Sequence, residues 1–392
     1  MTAAPLAGLR VVEFAHMVMG PSCGFILAEL GADVVKIEPI DGDNTRRLTG
    51  SGAGFFPTYN RSKRSVALDL KHPDGREAVR RLIVRADVVT ENFRPGALDA
   101  LGFGADAVAA LNPRAVYCSL KGFLAGPYEQ RTALDEVVQM MGGLAYMTGP
   151  PGRPLRAGAS VNDVMGGMFA VIGILSALRE RNSTGRGGRI KSGLFENCAF
   201  LVAQHMAQQA VSGKAVSPMP ARLPAWGVYD VFATRDGRQI FVAVVTDTQW
   251  AAFCAAFGRP DLAGDEALSS NPRRVAARER LIPEIATIVA AHDAAEAMAI
   301  CERVGLPFAP IARPEDLFDD PHLNAAGGLV PVSLPDGRTT KLPALPLEID
   351  GVRPTRGGAV PAIGRDSRTI LGEVGFAADE IERMIAAGVV GG

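Results

Sequence analysis

Over the first 120 residues, short apolar runs alternate with helical stretches, and this alternation restricts the fold more than any other feature. The runs LRVVEF (9–14), ADVVKIE (32–38), SVALDL (65–70), DVVTE (87–91) and AVYCSL (115–120) have strand length and are rich in Val. Between them, 21–30 reads as a helix closed by Gly31, and 73–85 as a helix beginning at a proline. Short helices are expected at 97–101 and 104–111. Strands that alternate with helices pair in parallel and build a doubly wound, Rossmann-like α/β domain. Ligands gather at the carboxyl ends of such strands. The turns that hold His16, Asn92-Phe93 and Lys121-Gly122 all leave from such ends. The first of them, AHMVMGPSCG, lacks the G-x-G-x-x-G spacing of a dinucleotide fold, which argues against an NAD oxidoreductase. His16 stands alone there, as structural histidines usually do.

A second focus lies at 153–198. A loop with no bulky apolar residue between Leu155 and Val161 ends at Asp163, and a long apolar helix is expected over 164–181. Asp163 stands where a helix N-cap belongs, and capping alone is the simpler reading. Asn162 is an equally good cap, however. Gly166 and Gly167 weaken the first turn and let another backbone or a ligand approach closely. A carboxylate at a loop-to-helix junction beside small residues is a fair place for a covalent nucleophile. On ordinary values it is ionised at neutral pH and needs no general base.

Residues 39–64 form a polar connection with five basic side chains, open to two readings: a solvated loop, or a surface that meets phosphates. A helix is expected from Asp135 to about residue 144; after the Gly-rich turn at 183–188 come a strand and another helix, which runs on past Cys198 to about 213. The Pro- and Ala-rich stretch 214–225 reads as a boundary. A hairpin turning at RDG (235–237) follows, then helices near 247–257, 271–289 and 294–304. Strands with a PDG turn come at 326–350, and a last helix at 378–387. The expected division is 1–214, a small α+β domain at 215–325, and a return to the large domain at 326–392.

With 41 basic and 42 acidic residues there is no overall field to attract nucleic acid or a membrane. The 47% hydrophobic and 21% charged content is that of a globular chain. No uninterrupted apolar run reaches the roughly 18 residues of a membrane span, and no signal peptide is visible. Five scattered cysteines without CxxC spacing read as reduced core residues of a cytoplasmic protein. The histidines show no metal-binding spacing, so no metal site is expected.

The segments PLAGLRVVEF, ELGADVVKIEP, NRSKRSVALDLKHPDGR, ENFRPGALDALGFG, LNPRAVYCSLKGF and ND-VMGGMFAVIGILSALRERNSTGRG occur in that order, with GLPFAPI and DDPHL further on. Together they resemble the family III CoA-transferases, the formyl-CoA and carnitine CoA-transferase group, whose superfamily includes the α-methylacyl-CoA racemases. The resemblance covers nearly the whole chain. It implies a Rossmann-like large domain built from both ends of the chain, a small α+β domain, and an interlocked homodimer. It implies that Asp163 attacks an acyl-CoA thioester, with Asp135 in support, and that CoA and acyl-CoA are substrates, with no tightly bound cofactor. It places His16, Met17, Val18, Met19, Leu68, Lys71, Asn92, Phe93 and Lys121 against CoA. Pro39 and Ala100 stand where the family has basic residues, so Arg46, Arg47 or Arg94 is expected to hold the nucleotide.

The racemase branch has a histidine directly before the aspartate that matches Asp135. Here that position is Leu134, which favours transfer over racemisation, with His16 the alternative base. A non-enzymatic CoA-binding protein is the remaining alternative, against which the intact Asp163 argues. The family's glycine-rich loop is replaced by PMPARLPAWG (218–227). From it, Arg222 and Trp226 are expected at the substrate along with Gly166 and Gly167, Arg222 pairing with a far carboxylate. Its other reading is a surface linker residue. The expected substrates are C4–C5 dicarboxylates: succinyl-CoA as donor, and mesaconate, itaconate, citramalate or malate as acceptor, or mesaconyl-CoA in an intramolecular transfer.

Overall fold

The computed structural model describes residues 4–325 and 327–392. Residues 1–3, the start of the stretch read for a signal peptide, and residue 326, where the third expected segment begins, lie outside the described residues. The chain divides into two units. One takes the chain up to Pro220 and from Pro321 to Gly392; the other is Ala221–Asp320.

The first unit opens with strands β1 (Arg10–Phe14), β2 (Asp33–Glu38), β3 (Arg64–Leu68), β4 (Val88–Glu91), β5 (Val116–Lys121) and β6 (Arg189–Gly193). Its helices are α1 (Met19–Glu29), α2 (Phe55–Asn60), α3 (Pro73–Val84), α4 (Ala97–Ala100), α5 (Ala105–Leu111), α6 (Asp135–Met141), α7 (Leu144–Thr148), α8 (Val161–Thr184) and α9 (Leu194–Ser212). The second unit holds an antiparallel sheet of β7 (Val228–Ala233), β8 (Gln239–Val244) and β9 (Phe308–Pro310). Around a core that includes Trp250, Phe253, Leu281 and Ile285 it adds α10 (Asp247–Ala256), α11 (Pro260–Ala263), α12 (Asn271–Ala276), α13 (Arg278–Ala290) and α14 (Ala294–Arg303). The returning chain supplies α15 (Pro321–Ala325), β10 (Leu329–Ser333), β11 (Thr339–Pro343), β12 (Gly358–Ala359), α16 (Ser367–Glu373), α17 (Ala378–Ala386) and β13 (Val390–Gly391).

The large sheet runs β13-β3-β2-β1-β4-β5-β6. All its pairings are parallel except β13 on β3, where Val390 faces Leu68. Side chains alternate between its two faces. Val11, Val34, Val88 and Val116 point into a core with Cys23 and Leu27 of α1 and Ala170 and Ile174 of α8. Val12, Val35, Ile37 and Val89 point the other way, onto Val79 of α3, Ile370 of α16 and Met384 of α17. Burial on both faces explains why these strands read as continuous apolar runs. The order reverses direction between β1 and β4, the position where doubly wound sheets open a crevice at their carboxyl ends.

Three expectations change. Helix α8 begins at Val161 rather than after Asp163, so Asp163 is its third residue and not its N-cap. At 24 residues α8 is long and apolar enough to cross a bilayer by length and composition. One side of it nevertheless lies in the core, against α1 and the sheet. The basic connection at 39–64 contains α2 and short 3-10 turns, and it is not a free phosphate surface. Arg46 binds Glu38 at 2.6 Å, Arg64 binds Glu373 at 2.6 Å, and Arg47 bonds the Asp41 carbonyl. Arg61 is buried over the Phe25 ring, its head on the carbonyls of Thr58 and Pro343. Lys63 is wholly enclosed and holds both oxygens of Glu13 at 2.7 and 2.9 Å. Burial pushes its ammonium down to about 8, and Glu13 opposes the shift.

Candidate active site

A cavity of about 440 Å³ opens at the carboxyl ends of β1, β4 and β5, where the strand order reverses. His16 and Met17 border it from the loop after β1, Asn92 from the loop after β4, and Leu120 to Gly122 from the end of β5. The start of α6 adds Leu134, Asp135 and Glu136, and the turn into α8 adds Arg156, Ser160 and Asp163. The stretch from Leu48 to Phe55 closes another side.

The loops are tied to one another. Asn92 accepts from the His16 N–H at 3.0 Å and donates to the His16 carbonyl at 2.8 Å. Met17, in the left-handed region at φ 62°, donates its N–H to Thr45 Oγ1 at 2.9 Å. Asp43 accepts from Thr45 N at 2.8 Å, and Lys36 bridges Asp43 and the Ala15 carbonyl. The buried charges at the carboxyl ends of β1 and β2 thus hold the strained turn after β1 in place. Lys121 donates to Glu91 and, at 2.7 Å, to the Phe93 carbonyl. The His16 ring lies 5.7 Å from that of Phe93. Loss of solvent around the imidazole lowers its pKa; Asp43 pulls the other way and Lys36 adds to the fall.

The two aspartates meet across helix ends. Asp135, only 7% exposed, turns Oδ1 toward α8 and accepts from the N–H groups of Asn162 (2.8 Å) and Asp163 (3.2 Å). The cap of α8 therefore comes from another helix. Gln139, one turn along α6, donates to Asp135 Oδ2 and accepts from the Ala157 N–H at 2.8 Å. It ties the loop before α8 to the first turn of α6. The Asp163 carboxylate makes no hydrogen bond or ion pair among the described residues and faces the cavity. Burial raises it to about 7, Asp135 adds to the rise, and Arg156 opposes it. The full ionisation expected from ordinary values thus gives way to a carboxyl that titrates near neutral pH.

The first turn of α8 sits against α1. A Cβ on Gly167 would strike Ser22 Oγ and come within 2.9 Å of the Cys23 nitrogen, and one on Gly166 would strike Met19. These glycines admit a helix, so the substrate contact expected of them gives way to packing. Leu68 is likewise core, at 1% exposure. Val18 and Met19 are buried beneath the loop, with Met19 still reaching the cavity. Lys71 and Arg94 are exposed and do not border the cavity, and Arg46 is bound to Glu38. Arg222 and Trp226 belong to the second unit, where Trp226 stacks on Tyr229 at 5.0 Å.

Residues 6–367 match CoA-transferase family III. The chain belongs to that family. It is 35% identical to the succinate–glutarate CoA-transferase of Agrobacterium fabrum, over 85% of this chain and 86% of that one. It is 32% identical to the succinyl-CoA–L-malate CoA-transferase beta subunit of Chloroflexus aurantiacus, over 97% and 96%. Among solved structures it resembles a CAIB/BAIF family protein from Brucella suis, with a TM-score of 0.83 and 33% identity over 95% of this chain and all of that one.

Within this family III chain, reading the sequence passed over several site residues. Gln139 was legible in principle, because it lies four residues after Asp135 on one helix face. Arg156 stands seven residues before Asp163 in a loop read only for its small residues. Tyr59, whose phenol is raised by burial and by the nearby charge of Asp163, had no local signal. Neither did Thr45.

Proposed function

We propose that the chain transfers CoA from an acyl-CoA to a C4–C5 dicarboxylic acid, with Asp163 as the covalent nucleophile. The Asp163 oxygen attacks the thioester carbonyl, the C–S bond breaks, and CoA leaves as thiolate from an aspartyl anhydride. The thiolate attacks the aspartyl carbonyl of the anhydride, releasing the donor acid and leaving an aspartyl-CoA thioester. The acceptor carboxylate displaces the thiolate to form a second anhydride. Attack of the thiolate on the acceptor carbonyl completes the transfer and frees Asp163. The steps need no net proton, so the demand on the protein is aim, charge stabilisation and exclusion of water.

The observation that carries this reading is the unpartnered Asp163 carboxylate at the floor of a cavity formed at the strand ends. The relatives named for glutarate and L-malate support C4–C5 dicarboxylates as the substrate class; succinyl-CoA is the proposed donor, and malate, mesaconate, itaconate or citramalate the proposed acceptor. Racemisation needs a base on each face of an α-carbon. Leu134, 58% exposed at the cavity lip, offers none. A homodimer accords with the exposed apolar side chains of α8 and α9, among them Phe169, Ile172, Phe200 and Met206.

The test mixes the protein with succinyl-CoA and a panel of acids and follows new acyl-CoA masses. Transfer to a dicarboxylic acid that disappears in Asp163→Ala supports the proposal. Solvent deuterium entering C2 of a 2-methylacyl-CoA, without transfer, would replace it with racemisation.

A further inference from the structure

A dicarboxylic acid that offers one carboxyl to Asp163 brings a second anionic group into the same cavity. Asp135, Glu136 and Asp163 already border that end, and unopposed they repel another anion. Two permanent-cation side chain types line the cavity, as Lys121 and Arg156. Lys121 is engaged by Glu91, whose side chain is almost enclosed, and by the Phe93 carbonyl. Arg156 is placed differently. Its Nε donates to the Ala157 carbonyl at 3.1 Å and its Nη1 to Glu136 at 2.9 Å. Its Nη2 stands 4.0 Å from Asp135, beyond hydrogen-bond reach. A guanidinium carries five N–H donors in a planar fork, so both protons of Nη2 and one of Nη1 are uncommitted. Its backbone neighbour Ala157 is held by the buried Gln139, which fixes where the arm begins.

The geometry points to Arg156 as the residue that receives the distal carboxylate of the dicarboxylic acid. This rests on the reading of Asp163 as nucleophile and assigns the specificity of that same site. The remaining donors of the fork match a carboxylate edge, and Glu136, exposed on the cavity side, can give up its bond without leaving a buried charge. Without Arg156 the cavity end is acidic throughout, so a distal carboxylate loses a partner and gains a repulsion.

The experiment compares glutarate with its monomethyl ester as acceptors, with succinyl-CoA as donor. It is run at pH 8.5, above the value of about 7 for Asp163. In a ping-pong reaction the acceptor's kcat/KM does not depend on the donor. Arg156→Gln is expected to lower kcat/KM for glutarate on the order of 100-fold and that of the half-ester by a far smaller factor. Arg156→Lys, which keeps the charge but loses the fork, is expected to fall between. An equal loss for both acceptors overturns the inference and leaves Arg156 as a positioner of Asp135; no loss for either overturns it too. Transfer that persists in Asp163→Ala is a separate result, and it sinks the nucleophile reading instead.

Discussion

The raised pKa of Asp163 makes the reaction's response to acid a direct report on the site. With a pKa of about 7, against 3.8 for an unperturbed aspartate, the ionised share falls to roughly a tenth at pH 6 and a hundredth at pH 5. An unperturbed aspartate would still be more than about nine-tenths ionised at pH 5. The donor's kcat/KM reports the free enzyme, so it should climb tenfold per pH unit up to about 7 and then level off. Three effects set this limb: burial of the carboxyl, the charge of Asp135 across the helix ends, and that of Arg156 at the cavity wall. Asp135→Asn removes the like charge and should move the limb to lower pH. Arg156→Gln removes the opposing charge and should move it higher. His16 titrates below its ordinary value, so His16→Gln should leave the limb in place. A substrate group that titrates in this range would give the same limb in every variant. Steady-state rates with succinyl-CoA from pH 5 to 9 decide the matter. A flat profile, or a limb that stays put in Asp135→Asn, refutes the argument.

The same shift affects stability in the opposite sense. The folded state holds the proton of Asp163 more tightly than the unfolded chain, so ionisation costs stability progressively from about pH 4 to pH 7 and fully above it. Asp163→Asn should therefore be inactive yet more stable than the wild type at pH 8, by about 4 kcal/mol at most and read as a higher thermal midpoint, with the gap closing near pH 4. Gly167→Ala drives a methyl into Ser22 and the α1 backbone and should cost roughly 1–3 kcal/mol, read as a lower thermal midpoint. Lys63→Met leaves Glu13 charged and enclosed and should cost about 3–5 kcal/mol in denaturant unfolding, part of it recovered by adding Glu13→Gln.

What the sequence disclosed, and what it hid, follows the range of the interactions involved. The strands β1 to β5 and the hairpin β7–β8 were legible because periodicity and turn residues are local. The two-residue β13 was not, since Val390 and Gly391 become a strand only by pairing with Leu68 and Ala67. Asp163 looked like a cap because its chain neighbours suit that role; the acceptor that caps α8 is Asp135, 28 residues earlier. Arg46, Lys63 and Arg64 left both a solvated loop and a phosphate surface open, because Glu38, Glu13 and Glu373 are brought to them only by the fold. The glycines of α8 signalled a close approach without saying to what, and the answer is α1. The pKa of Asp163 sums burial and two distant charges, none of which has a sequence signature.

The central claim is that Asp163 becomes covalently acylated. Its most direct test is an acid quench of the protein after brief mixing with succinyl-CoA, followed by peptide mass spectrometry. The account predicts a CoA or succinyl adduct on the peptide that contains Asp163, formed faster at pH 8 than at pH 6 and lost when an acceptor acid is added. An adduct on another residue, or transfer with no adduct at any time point, would contradict it.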